Sequence, residues 1–208
     1  MAKLNGRALT VFGLSLFSIL AFSTPSPAFA RDKLDRQSRA AMGLTPAQIA
    51  DKAGVTGLGQ LDPDIKISTQ GFIQSDRGDR WFRAYINKAT GKVDLQFFME
   101  TVVSGKAYRP HTLTYMGASG LVSAPVIRIN TDVTCPSLCY YTEQTAVDIS
   151  RADLEFAAQG AQAGQDITWD SKLFGDSRSD EILTFKTEVA GFLIAVDRQL
   201  ARVKNSLP

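Results

Sequence analysis

The stretch RWFRAYINKATGKVDLQFFMETVV, residues 80–103, decides the fold of this chain. Two runs in which apolar and polar residues alternate flank a turn at residues 88–91, and that turn ends in glycine. A period of two predicts an antiparallel hairpin in which Ile86 opposes Val93 and Phe82 opposes Phe97. One face of the hairpin is then continuously apolar, and a slip of one residue would turn every apolar side chain to the other face.

A second hairpin is predicted around Cys135 and Cys139, which are separated by three residues. Alternation places Ile127, Ile129, Val133 and Cys135 on one face of the incoming strand, and Cys139, Tyr141, Val147 and Ile149 on one face of the outgoing strand. This spacing favours a structural disulfide that closes a short turn in an oxidising compartment. A redox dithiol fits less well, because thioredoxin-type pairs have two intervening residues at a helix start. A zinc site would need two further ligands.

Three helices are indicated by capping residues and periodicity. Thr45, Pro46 and Gln48 follow the capping-box pattern, and Ser150 with Asp153 marks a second short helix. From Thr187 onward, one apolar stripe at helical spacing predicts a C-terminal helix packed on the sheet. The stripe consists of Val189, Phe192, Leu193, Val196, Leu200 and Val203, while Glu188, Asp197, Arg198 and Arg202 lie off it. Residues 182–185 are a candidate last strand.

These elements predict a single α+β domain over residues 45–208. Its main layer is a mainly antiparallel sheet of about six to eight strands, curved or folded into a sandwich. The C-terminal amphipathic helix covers one face of that sheet.

The first thirty residues have the features of a Sec-type signal peptide. Lys3 and Arg7 supply positive charge, residues 11–22 are almost entirely apolar, and Ala28-Phe29-Ala30 fits signal peptidase. We expect cleavage after Ala30, then a flexible lead-in over residues 31–44 and export to the bacterial periplasm or the medium. The alternative is an uncleaved anchor, but the apolar run is shorter than the roughly 20 residues needed to span a bilayer.

The charge balance argues against two classes of partner. The chain has 23 basic and 21 acidic residues, and two of the basic residues lie in the predicted signal peptide. The remaining chain is therefore neutral, which does not fit nucleic-acid binding or polybasic docking on a membrane. We expect no nucleic-acid partner, no stable membrane anchor after cleavage, no cofactor and no metal.

Two residues are candidates for catalysis in a small envelope hydrolase. His111 is the single histidine of the chain, so any histidine base must be this residue. Glu143 falls on the same predicted face as Tyr141 and Val147, where burial would tune its carboxyl. The simpler interpretations are a structural role for His111 and an ion pair between Glu143 and a cation such as Arg128.

One face of the first hairpin is the better candidate for a functional surface. It carries Trp81, Arg83, Tyr85, Gln96, Phe98 and Glu100. Aromatic rings interleaved with hydrogen-bonding groups suit the binding of a sugar, a peptide or another protein, unless a loop or helix covers this face as a second core layer. We therefore expect a non-enzymatic binding or protein-interaction module that engages an unknown small ligand or an envelope protein. The alternatives are the hydrolase and an envelope structural or assembly factor whose C-terminal helix docks on a partner.

Overall fold

The computed structural model describes residues 43–75, 78–164 and 168–206. All of these residues belong to one compact unit, which spans Asp32–Pro208. The predicted signal peptide, residues 1–30, lies outside the described residues, as does most of the predicted lead-in, residues 31–44.

Three helices and eleven strands make up the described part of the chain. The helices are α1 (Pro46–Lys52), α2 (Arg151–Ala157) and α3 (Lys186–Ser206). The strands are β1 (Gly54–Thr56), β2 (Asp64–Ser68), β3 (Ile73–Ser75), β4 (Gly78–Asn87), β5 (Val93–Ser104), β6 (Pro110–Gly117), β7 (Gly120–Pro125), β8 (Ile127–Thr134), β9 (Tyr140–Asp148), β10 (Ser171–Gly175) and β11 (Ser179–Glu181).

The strands form two antiparallel sheets around one core. The larger sheet has the order β1-β2-β4-β5-β9-β8, with β3 pairing the start of β4, and the smaller has the order β11-β10-β6-β7. Helix α3 packs against β2 and β4. A single apolar cluster contains residues from both sheets and from α3. The predicted α+β domain with a C-terminal helix packed on an antiparallel sheet is therefore confirmed.

The first hairpin has the predicted register. Ile86 opposes Val93 and Phe82 opposes Phe97, and the apolar side chains of this face are buried in the core. The Phe82 ring lies 4.9 Å from the Phe97 ring, 5.4 Å from the Phe192 ring and 6.4 Å from the Trp169 ring, centroid to centroid. These contacts join β4, β5 and α3 through aromatic packing.

The second hairpin is present, but the predicted common face of its incoming strand is wrong. Ile127 opposes Ala146, whereas Val133 opposes Tyr141. Ala146 and Tyr141 are an odd number of residues apart on β9, so they face opposite sides of the sheet. The register shifts between Arg128 and Asn130, because a β-bulge adds one residue there and reverses the alternation.

Both predicted caps are present. In α1, the Thr45 hydroxyl accepts the Gln48 N–H at 3.3 Å and the Gln48 side chain accepts the Thr45 N–H at 2.9 Å. In α2, Ser150 accepts the Asp153 N–H at 3.1 Å. The predicted strand at residues 182–185 is wrong, since β11 ends at Glu181 and only an isolated bridge between Thr168 and Phe185 follows within the described residues. The reason is that the chain turns directly into α3 there.

Candidate functional site

The six residues predicted to form a binding face lie together on the side of β4 and β5 that faces away from the core. Trp81 opposes Phe98 and Arg83 opposes Gln96, as predicted from the alternation. Strand β9 widens this surface, with Ala146 opposite Phe98 and Asp148 opposite Gln96. We call this surface the outer face. Its members are Trp81, Arg83, Tyr85, Gln96, Phe98, Glu100, Ala146 and Asp148.

The two large aromatic residues of the outer face are buried. Trp81 is 7% exposed and Phe98 is 4% exposed, and their ring centroids are 4.3 Å apart. With Ala146 they form an apolar cluster separate from the main core. These rings therefore stabilise the sheet from its second side. The side chains of this face that stay accessible are the partly buried Arg83, Tyr85, Gln96 and Glu100 and the exposed Asp148.

Arg83 is fixed on the outer face by two rings and a chain of side-chain hydrogen bonds. Its Cζ atom lies 4.3 Å from the Phe98 ring centroid and 5.7 Å from the Tyr85 ring centroid, within cation–π range of both. Its Nε donates to Gln96 Oε1 at 2.8 Å, and Gln96 Nε2 donates to Asp148 Oδ1 at 2.7 Å. Arg83 Nη1 and Nη2 donate to no residue within the described ranges. The guanidinium is thus oriented in advance, with two donor groups open.

A groove of about 780 Å³ runs beside this row of side chains. Its lining includes Tyr85, Asp94, Gln96, Asp148, Ser150 and Arg151. Two of its charges are already paired, Asp94 with Lys92 at 2.9 Å and Arg151 with Asp197 at 2.8 Å. Hydrogen bonds from Arg151 to Asp197, and then to Glu155, raise the pKa of Arg151 further above its ordinary value. Asp148 remains the groove carboxylate without a cationic partner among the described residues.

Glu143 lies on the predicted face of β9, but its partner differs from the expected one. It is 1% exposed, and both carboxylate oxygens accept the backbone N–H of Arg109, at 2.9 and 3.0 Å. Arg109 has φ 51° and is the one non-glycine residue with positive φ among those described. Glu143 therefore holds a left-handed residue in the loop before β6, a conformation that costs an ordinary side chain about 1 kcal/mol or more.

The other catalytic candidate, His111, is an exposed residue of β6 in the smaller sheet. Its Nδ1 lies 2.9 Å from Thr112 Oγ1. The structure places it in a different sheet from all residues of the outer face.

Glu188 is a buried carboxyl that the sequence analysis missed. The residue lies in the first turn of α3 and is 2% exposed, although the apolar stripe left it on the polar side. Burial raises the pKa of Glu188 to about 8, against the smaller opposing effects of a hydrogen bond from Thr69 and the charge of Arg80. The Thr69 Oγ1–Glu188 Oε1 distance is 2.6 Å. Because Thr69 is 119 residues away along the chain, no local pattern reveals this pair.

Four further observations bear on the class of protein. Cys135 and Cys139 form the predicted disulfide, with their Cα atoms 4.0 Å apart. No helix in the described part of the chain has the length and apolarity needed to cross a membrane. Among the described residues, there is no group of three or more histidine, cysteine, aspartate or glutamate side chains that could hold a metal ion. The chain matches no protein-family model, no functionally curated protein and no solved structure.

Proposed function

We propose that this protein is a non-enzymatic binding module that acts outside the cytoplasm, in the bacterial periplasm or the medium. The disulfide supports this location, because stable disulfides form in oxidising compartments. The charged start, apolar run and Ala28-Phe29-Ala30 of the first thirty residues support it as well. The outer face provides the binding surface in this proposal.

Export has a direct test. Mass spectrometry of the protein recovered after expression in a bacterial host should show a chain that begins at Arg31. A folded product that retains Met1 would contradict the proposed export by cleavage.

The observation that carries the binding proposal is that the Arg83 guanidinium is held in place while both of its Nη groups remain open. A guanidinium held over two rings and hydrogen-bonded through Nε has lost most of its rotamer freedom already. A ligand that pairs with it therefore loses little further entropy. Its open Nη groups form a planar donor fork, and such forks bind carboxylates in pairs of parallel hydrogen bonds. The groove next to it has a volume typical of small-ligand sites.

The hydrolase alternative has less support from the same structure. The Glu143 carboxylate is buried and accepts the Arg109 N–H with both oxygens, so its hydrogen-bonding capacity serves the loop. A general base must come within hydrogen-bond distance of the proton it removes, and a substrate has no open path to a carboxylate with so little exposure.

A ligand screen with matched variants tests the binding proposal. The full-length gene is expressed, and thermal unfolding of the purified protein is followed with amino acids, short peptides and oligosaccharides. Arg83→Met keeps an apolar stem over Phe98 and removes the donor fork, while Arg128→Met removes an exposed arginine from β8 as the control. We expect at least one compound to raise Tm in the wild-type protein and the control but not in Arg83→Met. A stabilising compound that acts equally on all three proteins would refute this site.

A second candidate function, a structural or assembly factor of the envelope, is favoured by β8. This strand is the last in the larger sheet, and all eight of its residues are exposed. The side chains of Ile127, Ile129 and Val133 are exposed beside its unpaired backbone edge, and such edges accept an added strand from a partner. The apolar stripe of α3, by contrast, is buried in the core, so β8 is the docking element in this alternative.

Strand addition at β8 is tested by placing a charge on its edge. Val133→Lys should abolish chemical cross-linking to envelope proteins in cells, whereas Leu61→Lys, at an exposed position outside any strand, should leave it unchanged. Equal cross-linking in both variants would rule out β8 as the docking edge.

A further inference from the structure

We infer that the outer face binds a short peptide with free termini, with the peptide carboxylate on Arg83 and its ammonium group on Asp148. This inference rests on the proposed binding function and names the ligand of that site. It follows from the two ends of the Arg83–Gln96–Asp148 row, which have opposite charges. Each end also has hydrogen-bonding atoms that Gln96 does not use.

The basic end of the row is a donor and the acidic end is an acceptor. Arg83 uses Nε for Gln96 and keeps both Nη groups open toward any ligand. Asp148 uses Oδ1 for Gln96, and its Oδ2 accepts from no residue in the described ranges. Gln96 joins them and fixes both side chains, so the two charges keep a constant separation without neutralising each other directly.

The separation of the two ends limits the length of a ligand that reaches both. Arg83 Nε is 2.8 Å from one end of the Gln96 amide, and Asp148 Oδ1 is 2.7 Å from the other. The oxygen and nitrogen of one amide are about 2.3 Å apart, so Nε and Oδ1 lie no more than about 8 Å apart. The open Nη and Oδ2 atoms each lie about 2.3 Å further along their groups, so they are no more than about 12 Å apart. A chain of two or three extended residues, at about 3.3–3.6 Å each, fits within this limit.

The surroundings favour a ligand with two opposite charges rather than one. The Arg151 and Asp94 side chains in the groove are paired with Asp197 and Lys92. Among the described residues, this leaves Asp148 in the groove, and Arg83 beside it on the other side of Gln96, as the charges able to recognise a ligand. The other carboxylate of the outer face, Glu100, accepts from Gln144 at 2.8 Å. It is separated from Arg83 by the buried Trp81–Phe98 row.

The groove can accept the body of such a peptide. Tyr85 lines it beside Gln96 and Asp148, which provides a ring for apolar contact with the peptide. The Ser150 hydroxyl, which also lines it, is already engaged with Asp153 as the cap of α2. The contact with the ring does not depend on a particular side chain, so the inferred specificity is for the charged termini and the length.

The test uses trialanine as the probe and the purified protein expressed from its full-length gene. Binding is followed by NMR chemical-shift titration for free trialanine, N-acetyl-trialanine and trialanine amide. Each modification removes one charged terminus and with it a charge-assisted pair, so we expect each to weaken binding about tenfold or more.

Two variants assign each terminus to its side chain. In Arg83→Met, free trialanine and trialanine amide should bind equally, because the carboxylate has lost its partner. In Asp148→Asn, free trialanine and N-acetyl-trialanine should bind equally, and the control Arg128→Met should behave as the wild-type protein. This is a double-mutant cycle between ligand and protein, so a general loss of structure would not reproduce the pattern.

Three results would overturn the inference: no titration with trialanine, equal binding of free and capped peptides, or preserved discrimination in both variants. The proposed binding function is judged separately. If another compound loses its effect in Arg83→Met while trialanine fails to bind, the outer face remains a binding site and only the assignment to peptides is wrong.

Discussion

Replacing Glu188 with glutamine should change how stability depends on pH. In the native protein the Glu188 carboxyl is buried under the first turn of α3, and burial raises its pKa from 4.5 to about 8. The unfolded chain exposes the same carboxyl to water, where it ionises near its ordinary pKa. Between these two pH values the folded protein therefore holds one more proton than the unfolded chain.

The sign and size of the effect follow from proton linkage. A group with a raised pKa in the folded state contributes its full stability below pH 4.5, and this contribution falls as the pH rises toward 8. Each pKa unit corresponds to about 1.4 kcal/mol, so the free energy of unfolding loses about 3 kcal/mol from this group between pH 4.5 and pH 7. Glutamine has a similar shape and does not titrate. The stability of Glu188→Gln relative to the wild-type protein should thus rise by about 3 kcal/mol over that range.

Urea titrations of both proteins at pH 4.5 and at pH 7 measure this difference. Other ionisable groups affect both proteins alike and cancel in the comparison. Glu181→Gln, which changes an exposed carboxyl of β11, is the control and should show no comparable change with pH. If the difference between Glu188→Gln and the wild-type protein is the same at both pH values, the carboxyl is not kept neutral by burial.

Three other variants test structural assignments. Replacing Cys135 and Cys139 with serine should lower the free energy of unfolding by about 2 kcal/mol in denaturant titrations, because the closed loop is short; a larger loss would mean that the disulfide does more than close this loop. Phe97→Ala should lower it by about 3–5 kcal/mol in the same assay, and a loss below that of the serine variant would contradict its central packing. Glu143→Ala should cost about 1–3 kcal/mol, because the Arg109 N–H loses the buried carboxylate that accepts it, and an unchanged midpoint would refute that role.

The hairpin of β4 and β5 could be predicted from the sequence because each strand has one face in the core. Burial of Phe82 and Phe97 allows only one register in which the apolar residues of both strands lie on the same face. The alternation of apolar and polar residues in the sequence is enough to determine that register. The same argument placed the six residues of the outer face on one surface. It did not show that Trp81 and Phe98 are buried there, because alternation separates two faces without showing how deeply either is covered.

The features that the sequence did not reveal depend on distant residues or on a local irregularity. The bulge at Ile129 adds one residue to β8, and no glycine or proline marks it in the sequence. Alternation counted through the bulge therefore assigns the residues after it to the wrong face of the strand. Asp148 joins Gln96 across two strands, 52 residues apart. Glu188 is hydrogen-bonded to Thr69, the residue directly after β2. This contact exists only once the end of β2 and the start of α3 have packed together.

The placement of β8 at the margin of the larger sheet has a consequence for how the molecule opens. Strands β4 and β5 are covered on one side by the core and on the other by the Trp81–Phe98 cluster, while every residue of β8 is exposed. Local opening needs the least free energy where few apolar contacts are lost. Backbone amides of β8 should therefore exchange with solvent deuterium by fraying of that strand alone, and those shared by β4 and β5 by cooperative opening of the whole domain. We therefore expect β8 to separate from the sheet and re-form while the hydrogen bonds between β4 and β5 remain intact.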